Sequence, residues 1–435
     1  MLKENKIYMF KYIKIVLILT VVFSVPFNNV LAEDVLSWQD CVKEAAKNHP
    51  DLIAAVEEVK QSQAEKSITA STLFPQITGS VSGATSKATS KTSGSSTADL
   101  YSYGLSATQL IFDGSKTINN VRATSETIKA SQQNYRFTST EVRLRLRTAF
   151  VNLIRAQELI KVSEDIIKIR KDNYEMITLR YESGLEHKGA LLTAEANLAQ
   201  AIFDLAQAKR DVVLAQRQMT KEMGRTAFIP MSVTVDFKVK DAAIIKPDIE
   251  ALARTNPSLL QATAQKNAAE FGIRSAYANF FPTLTGSASA GKTGSHFWPR
   301  DEERSLGLSL SLPIFEGGLR LAQVSQAQAL YNQLKENERS TKDGIVVSLE
   351  QAWVSLRDAV ETIDVQYKSL LATEERSKIA EAEYATGFIT YDNWTIIEDN
   401  LVQAKINYLD AQTNALLAEA NWIQAKGEVL EYAKT

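Results

Sequence analysis

The side chains that most often carry catalysis or bind metals are few in this sequence and widely separated. Its three histidines, His49, His187 and His296, show neither the spacing of metal ligands nor a paired nucleophile. We interpret His49 as a helix-terminus residue and His187 as a turn residue. The single cysteine, Cys41, can form no disulfide within the chain and is interpreted as a small buried apolar residue. The sequence therefore predicts no enzyme, no catalytic residue, no bound metal and no cofactor.

The charge balance argues against a nucleic-acid partner. The chain has 49 Lys and Arg residues against 51 Asp and Glu residues, a formal net charge of −2, and the two signs are interleaved. A phosphate-binding surface normally carries an excess of positive charge. Interleaved charges are instead typical of the solvated faces of long helices.

The N-terminal residues 1–32 have the pattern of a secretory signal peptide. Four lysines precede the apolar stretch from Ile15 to Val25, and a small residue, Ala32, marks the expected cleavage site. A membrane anchor is the alternative, but this stretch is too short to span a bilayer. Cys41 lies beyond the cleavage site, so no lipid attachment is expected there. After Ala32 no run of about 20 apolar residues occurs, so any membrane segment of the mature chain would consist of β-strands.

The remaining chain is an internal repeat. Ile111-Phe112-Asp113-Gly114 and Tyr181-Glu182-Ser183-Gly184-Leu185 recur, 203 residues later, as Ile314-Phe315-Glu316-Gly317 and Tyr384-Ala385-Thr386-Gly387-Phe388. Phe74-Pro75 recurs as Phe281-Pro282, 207 residues later. The spacing changes only around the tract TSKATSKTSGSSTAD, which we therefore interpret as an exposed loop. We predict a first repeat at 33–241 and a second at 247–435.

Each repeat is predicted to contain a helix, a β-hairpin, a long helix and a further helix. Proline ends the initial helix, an alternation such as Leu-Gly-Leu-Ser-Leu-Ser-Leu at 306–312 indicates a strand, and a proline-free stretch of about 67 residues gives a helix of about 100 Å. The predicted boundaries in the first repeat are about 38–73, 76–112, 114–181 and 189–224, followed by a connecting segment at 225–246. Those in the second repeat are about 247–280, 283–315, 317–385 and 391–430.

The two hairpins are predicted to enter a membrane. Each strand has one apolar and one polar face, spans about ten residues, and has no companion sheet in the sequence to cover its apolar face. A soluble sandwich would show the same alternation, but these hairpins stand alone between very long helices. Four strands cannot close a barrel. Two copies would give about 8 strands, whose interior side chains nearly fill the barrel, whereas three would give about 12 and leave room for a lumen, so three or more copies are favoured. The chain is therefore expected to oligomerise.

Taken together, these motifs resemble the TolC-type outer membrane efflux proteins. The shared features are Phe-Pro before each hairpin, Ile-Phe-Asp-Gly or Ile-Phe-Glu-Gly-Gly after it, and Tyr-x-x-Gly at the helical tips. The resemblance implies a mainly α fold with membrane β-strands, in which two structural repeats build a homotrimer. Its twelve-stranded β-barrel would lie in outer membrane lipid and continue into a long periplasmic α-helical coiled-coil barrel. The segment at 225–246 would be an equatorial segment, part of a belt around that helical barrel. The location implied is the outer membrane of a Gram-negative envelope, with most of the chain in the periplasm.

The same resemblance implies function and site residues. The expected function is the exit duct of a tripartite efflux pump or type I secretion system, a passive conduit opened by a periplasmic adaptor (membrane fusion) protein and an inner membrane RND, ABC or MFS transporter. The adaptor is expected to contact the helical tips, at Arg180, Tyr181, Gly184, Leu185, Tyr384, Gly387 and Phe388. The periplasmic entrance is expected to narrow at Tyr391, Asp392, Asn393, Trp394, Ile396 and Glu398.

One departure from the family concerns that entrance. Where the family's acidic ring would lie, this chain has Asn393 and Ile396. A constriction is therefore expected without its acidic character. The cargo cannot be read from the sequence, which has no Met or His cluster that would favour metal ions. A periplasmic coiled-coil adaptor or scaffold is the alternative function, although adaptors carry soluble β-rich domains around a single helical hairpin.

Overall fold

The computed structural model describes residues 34–90, 94–239 and 246–430. The predicted signal peptide, 1–32, lies outside the described residues, as does part of the predicted equatorial segment. Within the described ranges, no helix is both long enough and apolar enough to cross a membrane.

The elements follow the order helix, hairpin, long helix, helix in both halves of the chain. In the first half they are β1 (Asp34–Leu36), α1 (Trp38–Asn48), α2 (Pro50–Ser71), β2 (Gln76–Ser90), β3 (Gly94–Phe112), α3 (Lys116–Glu182), α4 (Lys188–Glu222) and β4 (Met231–Val233). In the second half they are α5 (Ile249–Thr255), α6 (Pro257–Ala278), β5 (Thr283–Gly294), β6 (Asp301–Ser311), α7 (Leu319–Thr386) and α8 (Tyr391–Ala425).

The initial helix of each half is broken in two, which differs from the single helix predicted. The break falls at His49-Pro50 and at Asn256-Pro257, because proline disfavours the helical conformation of the residue before it. Both preceding residues are extended and cap the next helix. The Nδ1 atom of His49 accepts a hydrogen bond from the backbone N–H of Asp51 at 3.2 Å, and the Oδ1 atom of Asn256 accepts one from Ser258 at 2.9 Å.

The two long helices, α3 and α7, determine the length of the molecule. They contain 67 and 68 residues, so each is about 100 Å long. At the end of the molecule next to the hairpins, the helices pack side by side in the order α2, α3, α6, α7. At the opposite end, which carries the helical tips, the order is α4, α3, α8, α7. At both ends α7 therefore forms one edge of the layer.

The main hydrophobic core lies near the middle of α3, where the two halves of the layer meet. Leu146, Leu153 and Met219 are fully buried there, together with residues of α1 and β4. Strand β4 pairs in parallel with β1, so the start of the described chain and the segment after α4 are joined at this level. This pairing places a small β-element on the helical layer at the predicted equatorial segment.

The hairpins form one antiparallel sheet of order β2-β3-β5-β6. The prediction that the tract TSKATSKTSGSSTAD is a loop was wrong for its described residues, which continue the ladder from Thr85 paired with Asp99 to Ser90 paired with Gly94; residues 91–93 lie outside the described ranges. Strands β2 and β3 therefore have 15 and 19 residues rather than about ten. Serine and threonine are common in loops, but Thr also suits strands, and a paired backbone tolerates polar side chains on both exposed faces.

The sheet has one apolar and one hydroxyl-bearing face. Paired residues share a face, and the pairs Val81 with Tyr103, Leu105 with Ala290, and Gly286 with Leu308 build the apolar one. On the opposite face, hydroxyl oxygens pair across strands: Ser82 with Ser102 at 2.7 Å and Ser289 with Ser305 at 2.8 Å. The apolar face is uncovered within one chain, where Val81 is 73% exposed and Leu308 74% exposed.

Candidate functional site

The two helical tips are built in the same way. Helix α3 ends before Gly184, with φ of +73°, and α7 ends at Gly387, with φ of +81°. The backbone N–H of Leu185 donates to the carbonyl of Arg180, and that of Phe388 donates to the carbonyl of Glu383, both at 2.8 Å. This is the Schellman arrangement, in which glycine adopts a left-handed conformation that other residues rarely take. Each tip thereby presents an exposed apolar side chain, Leu185 or Phe388.

Contacts between side chains join the first tip to the second. The guanidinium of Arg180 lies 4.7 Å from the centre of the Tyr384 ring. The hydroxyl of Tyr384 donates to Glu186 at 2.6 Å, and burial together with this hydrogen bond raises the pKa of the tyrosine. Among the residues predicted to contact an adaptor, Tyr384 is therefore the buried one, whereas Tyr181, Gly184, Leu185, Gly387 and Phe388 are exposed.

The residues predicted to narrow the entrance divide into two groups. Tyr391, Trp394 and Glu398 are 7%, 1% and 4% exposed, and pack within the chain. The indole of Trp394 stacks on the Tyr384 ring, with centroids 4.7 Å apart and an angle of 6° between the planes. Glu398 accepts a 2.5 Å hydrogen bond from the hydroxyl of Ser377. These three side chains secure α8 against its neighbours and are not available to a lumen.

The other three predicted residues, Asp392, Asn393 and Ile396, lie on the exposed side of α8. Ile396 is 58% exposed. The helical period explains the division, because positions 391, 394 and 398 share one face while 393 and 396 lie on another. The structure thus brings together a buried aromatic cluster and an exposed narrow strip at the start of the same helix.

Two ion pairs above the tips also join α3 to α8, and sequence reasoning missed them. Arg170 donates to Asp399 at 2.5 Å, and Arg155 donates to Asp410 at 2.8 Å. The side chain of Arg170 is only 10% exposed. The available signal was an arginine four residues after the apolar Ile166 on one face of a long helix, which indicates a partner across the helix interface.

Residues with reactive side chains lie in structural positions. His49 and His187 cap α2 and α4, and Nε2 of His49 lies 3.5 Å from the buried carboxylate of Glu222. Cys41 is fully buried, and that burial raises the pKa of its thiol to about 12. Across the described ranges, no group of three or more His, Cys, Asp and Glu side chains is placed to hold a metal ion.

Comparison with known proteins identifies relatives along most of the chain. The sequence model described as "Outer membrane efflux protein" matches residues 41–225 and 249–428, which correspond to the two repeats. The chain is 23% identical to the outer membrane efflux protein BepC of Brucella suis over 393 residues, covering 88% of this chain and 84% of BepC. It is 24% identical to the outer membrane protein TolC of Escherichia coli over 348 residues, covering 76% of this chain and 70% of TolC.

Solved structures show the same fold. A membrane protein from Pseudomonas aeruginosa superposes with a TM-score of 0.80 at 18% identity, covering 89% of this chain and 93% of that one. The CmeC outer membrane channel of Campylobacter jejuni superposes with a TM-score of 0.79 at 20% identity, covering 89% and 85%. The predicted fold class, two repeats of long helices with a hairpin each, is confirmed.

Proposed function

The chain belongs to the outer membrane efflux protein family, and on that premise we propose that three copies assemble into one exit duct. The family places the protein in the outer membrane as a channel for efflux or secretion. Its relatives include the cation efflux system protein CusC and the alkaline protease secretion protein AprF. Since those names cover different cargoes, the proposal concerns the conduit and not a particular substrate. The conduit is passive, and no residue of this chain is assigned a catalytic role.

The observation that carries the proposal is the four-stranded sheet with its uncovered apolar face. Strands β2 and β6 form its two edges. In hydrocarbon, an open edge leaves backbone groups without partners at a cost of several kcal/mol each. Pairing β6 of one copy with β2 of the next removes both edges. Three copies then bring about 12 strands, enough for a barrel with an aqueous lumen lined by the hydroxyl face.

The helical layer supports the same assembly. In the half that ends at the tips, α4 and α7 form the two edges of the helical layer. Both carry exposed apolar side chains, among them Phe203 and Leu214 on α4, and Val354 and Val365 on α7. An apolar strip along each edge suits contact between neighbouring copies. A closed ring of three layers would continue the barrel as a helical tube.

The tips are the proposed entrance of the duct. The exposed side chains Tyr181, Leu185 and Phe388 offer an apolar contact surface to a periplasmic adaptor, which would connect the duct to an inner membrane RND, ABC or MFS transporter. Asp392, Asn393 and Ile396, the exposed group at the start of α8, are the residues proposed to narrow the entrance. The buried contacts of Tyr384, Trp394 and Arg170 would hold the entrance closed by fixing the tips together.

Single-channel conductance in a planar bilayer tests this proposal. We expect the purified protein to insert and to give small conductance steps, because the entrance is narrow. The Asn393→Ala and Ile396→Ala variants should each enlarge the steps, because both substitutions remove side-chain volume at the entrance. Protein that never conducts would contradict the channel and favour a periplasmic scaffold. Wild-type steps in both variants would remove these two residues from the constriction.

A further inference from the structure

Helix α8 carries an unusual line of asparagines. They lie at seven-residue intervals, and all are exposed: Asn393, Asn400, Asn407, Asn414 and Asn421. The equivalent positions of the first repeat, 203 residues earlier, hold Ala190, Asn197, Asp204, Asp211 and Gln218. The line is therefore specific to α8. Asparagine is among the less favourable residues in a helix interior, so five of them in register require a reason other than helix formation.

The seven-residue interval identifies the line as a continuous stripe. A residue repeated every seven positions stays on one face only when the helices supercoil left-handedly, as in a coiled coil. From Asn393 to Asn421 the stripe is about 42 Å long. Between its members, the side-chain amide of Gln403 donates to Asn407 at 2.8 Å. Ser369, Thr373 and Arg376 of α7 line the same groove as Asn400 and Asn407.

The stripe is not a contact between copies of the chain. Helix α8 packs between α3 and α7, so both of its lateral sides are already occupied. Its buried face carries Leu401, Leu409 and Leu416. Contacts between copies fall to the edge helices α4 and α7. The stripe must therefore face water, either in the bore of the duct or on its outer surface.

Charge distinguishes these two surfaces. Other exposed positions in this half carry ion pairs along single helices, such as Lys368 with Asp364 at 2.6 Å and Lys171 with Glu175 at 3.7 Å. In a trimer every position recurs three times at one level. Inside a tube the three copies of a position lie closer together than on its outer surface, so like charges there repel more strongly and are screened less. A stripe without charge therefore suits the bore.

We infer that the asparagine stripe of α8 lines the bore and gives its wall a hydrogen-bonding strip that carries no charge of its own. Each amide offers both donors and an acceptor, so the wall can exchange hydrogen bonds with hydrated solutes of either charge. Asp399, next to Asn400, is directed to Arg170 and so adds no free charge to the stripe. The inference rests on the proposed function, since it requires a trimeric duct. It makes this lining a determinant of ion selectivity.

The test is the reversal potential of single channels in a KCl gradient. The triple variant Asn400→Asp, Asn407→Asp, Asn414→Asp places nine carboxylates in the bore of a trimer, so the K⁺ to Cl⁻ permeability ratio should rise several-fold. The matched control replaces the same three residues with Gln, which keeps the amide, and should leave the ratio unchanged. An Asp variant that conducts with the wild-type ratio would place the stripe outside the bore and overturn the inference, while the duct itself would stand.

If the Asp variant fails to assemble, a second measurement tests the same inference. Asn407→Cys can be treated with a negatively charged methanethiosulfonate reagent, because the one native cysteine, Cys41, is 0% exposed and should not react. Reaction should change the conductance and shift the permeability ratio towards cations. Complete labelling with unchanged conductance would contradict the inference. Wild-type protein that forms no channel would contradict the proposed function, and the lining with it.

Discussion

The indole of Trp394 lies parallel to the phenol ring of Tyr384, with ring centres 4.7 Å apart. The two residues belong to different helices, α8 and α7, and the stack closes the turn around Gly387. Arg180, from the other tip, lies 4.7 Å from the centre of the same tyrosine ring. Both rings are almost fully buried. One aromatic pair therefore joins three helices at the end of the molecule proposed as the entrance.

Removing the tryptophan ring should loosen the tip. Trp394→Ala deletes a large buried side chain, at a cost of about 3–5 kcal/mol. We expect faster amide hydrogen exchange in the segment around 380–398, and channels that open more often. Asn393→Ala, one residue away but exposed, is the control for the exchange measurement and should leave the protection of α7 unchanged. Wild-type protection in Trp394→Ala would contradict a structural role for the stack.

The ion pair between Arg170 and Asp399 should contribute less to the free energy of unfolding than the Trp394 ring does. Asp399 is 57% exposed, so solvent screens the pair, and we expect each of Arg170→Ala and Asp399→Asn to cost about 1 kcal/mol. A double-mutant cycle in thermal unfolding measures the coupling. Lys171→Ala is the control, because its ion pair with Glu175 lies within one exposed helix turn. Additive effects of the two substitutions would show that the pair does not couple α3 to α8.

The two faces of the sheet should respond differently to charge. Leu308→Arg places a cation on the proposed lipid face, where the cost reaches about 2–4 kcal/mol at mid-membrane. We expect less trimer in the outer membrane fraction, measured by gel electrophoresis without heating. Ser309→Arg, the next residue along the same strand, points to the hydroxyl face and should assemble normally. Equal loss in both variants would contradict the assignment of the faces.

Acid should weaken the contact between α6 and α7. Burial raises the pKa of Glu338, but hydrogen bonds from Lys266 and Thr263 outweigh it, so the pKa lies below its ordinary value of 4.5. A lowered pKa means that the contribution to stability is complete above the unfolded value and is lost as pH falls through the folded one. Thermal unfolding of Glu338→Gln should therefore depend less on pH below about 4.5 than that of the wild type. An identical pH profile would assign this sensitivity to other groups.

The general fold could be read from the sequence because its signals are local. The repeated Phe-Pro and Tyr-x-x-Gly motifs mark where helices end, and alternation in segments such as 306–312 marks strands. The helix break at His49-Pro50 was also present in the sequence, since proline constrains its predecessor, but the surrounding helical pattern concealed it. The loop prediction for the tract between Thr85 and Asp99 failed because its polar residues indicate a loop, whereas the backbone pairs as far as Ser90 and Gly94.

The site was harder to predict because it depends on which face of α8 meets its neighbours. Positions 391 to 398 form about two successive turns of one helix. The sequence pattern alone does not indicate that Trp394 contacts Tyr384 while Ile396 faces outward. Likewise, Arg170 and Asp399 are 229 residues apart in the chain, and only the packing of α3 on α8 brings them together. The asparagine stripe, by contrast, was visible in the sequence as a seven-residue interval. That these asparagines are exposed could be learned only from the structure.

The most direct test of the central claim is the mass of the protein in mild detergent, measured by native mass spectrometry. We predict a complex of three chains, because edge strands β2 and β6 must find partners and the helical edges α4 and α7 carry apolar strips. A single chain, stable and without bound partners, would contradict the proposed duct.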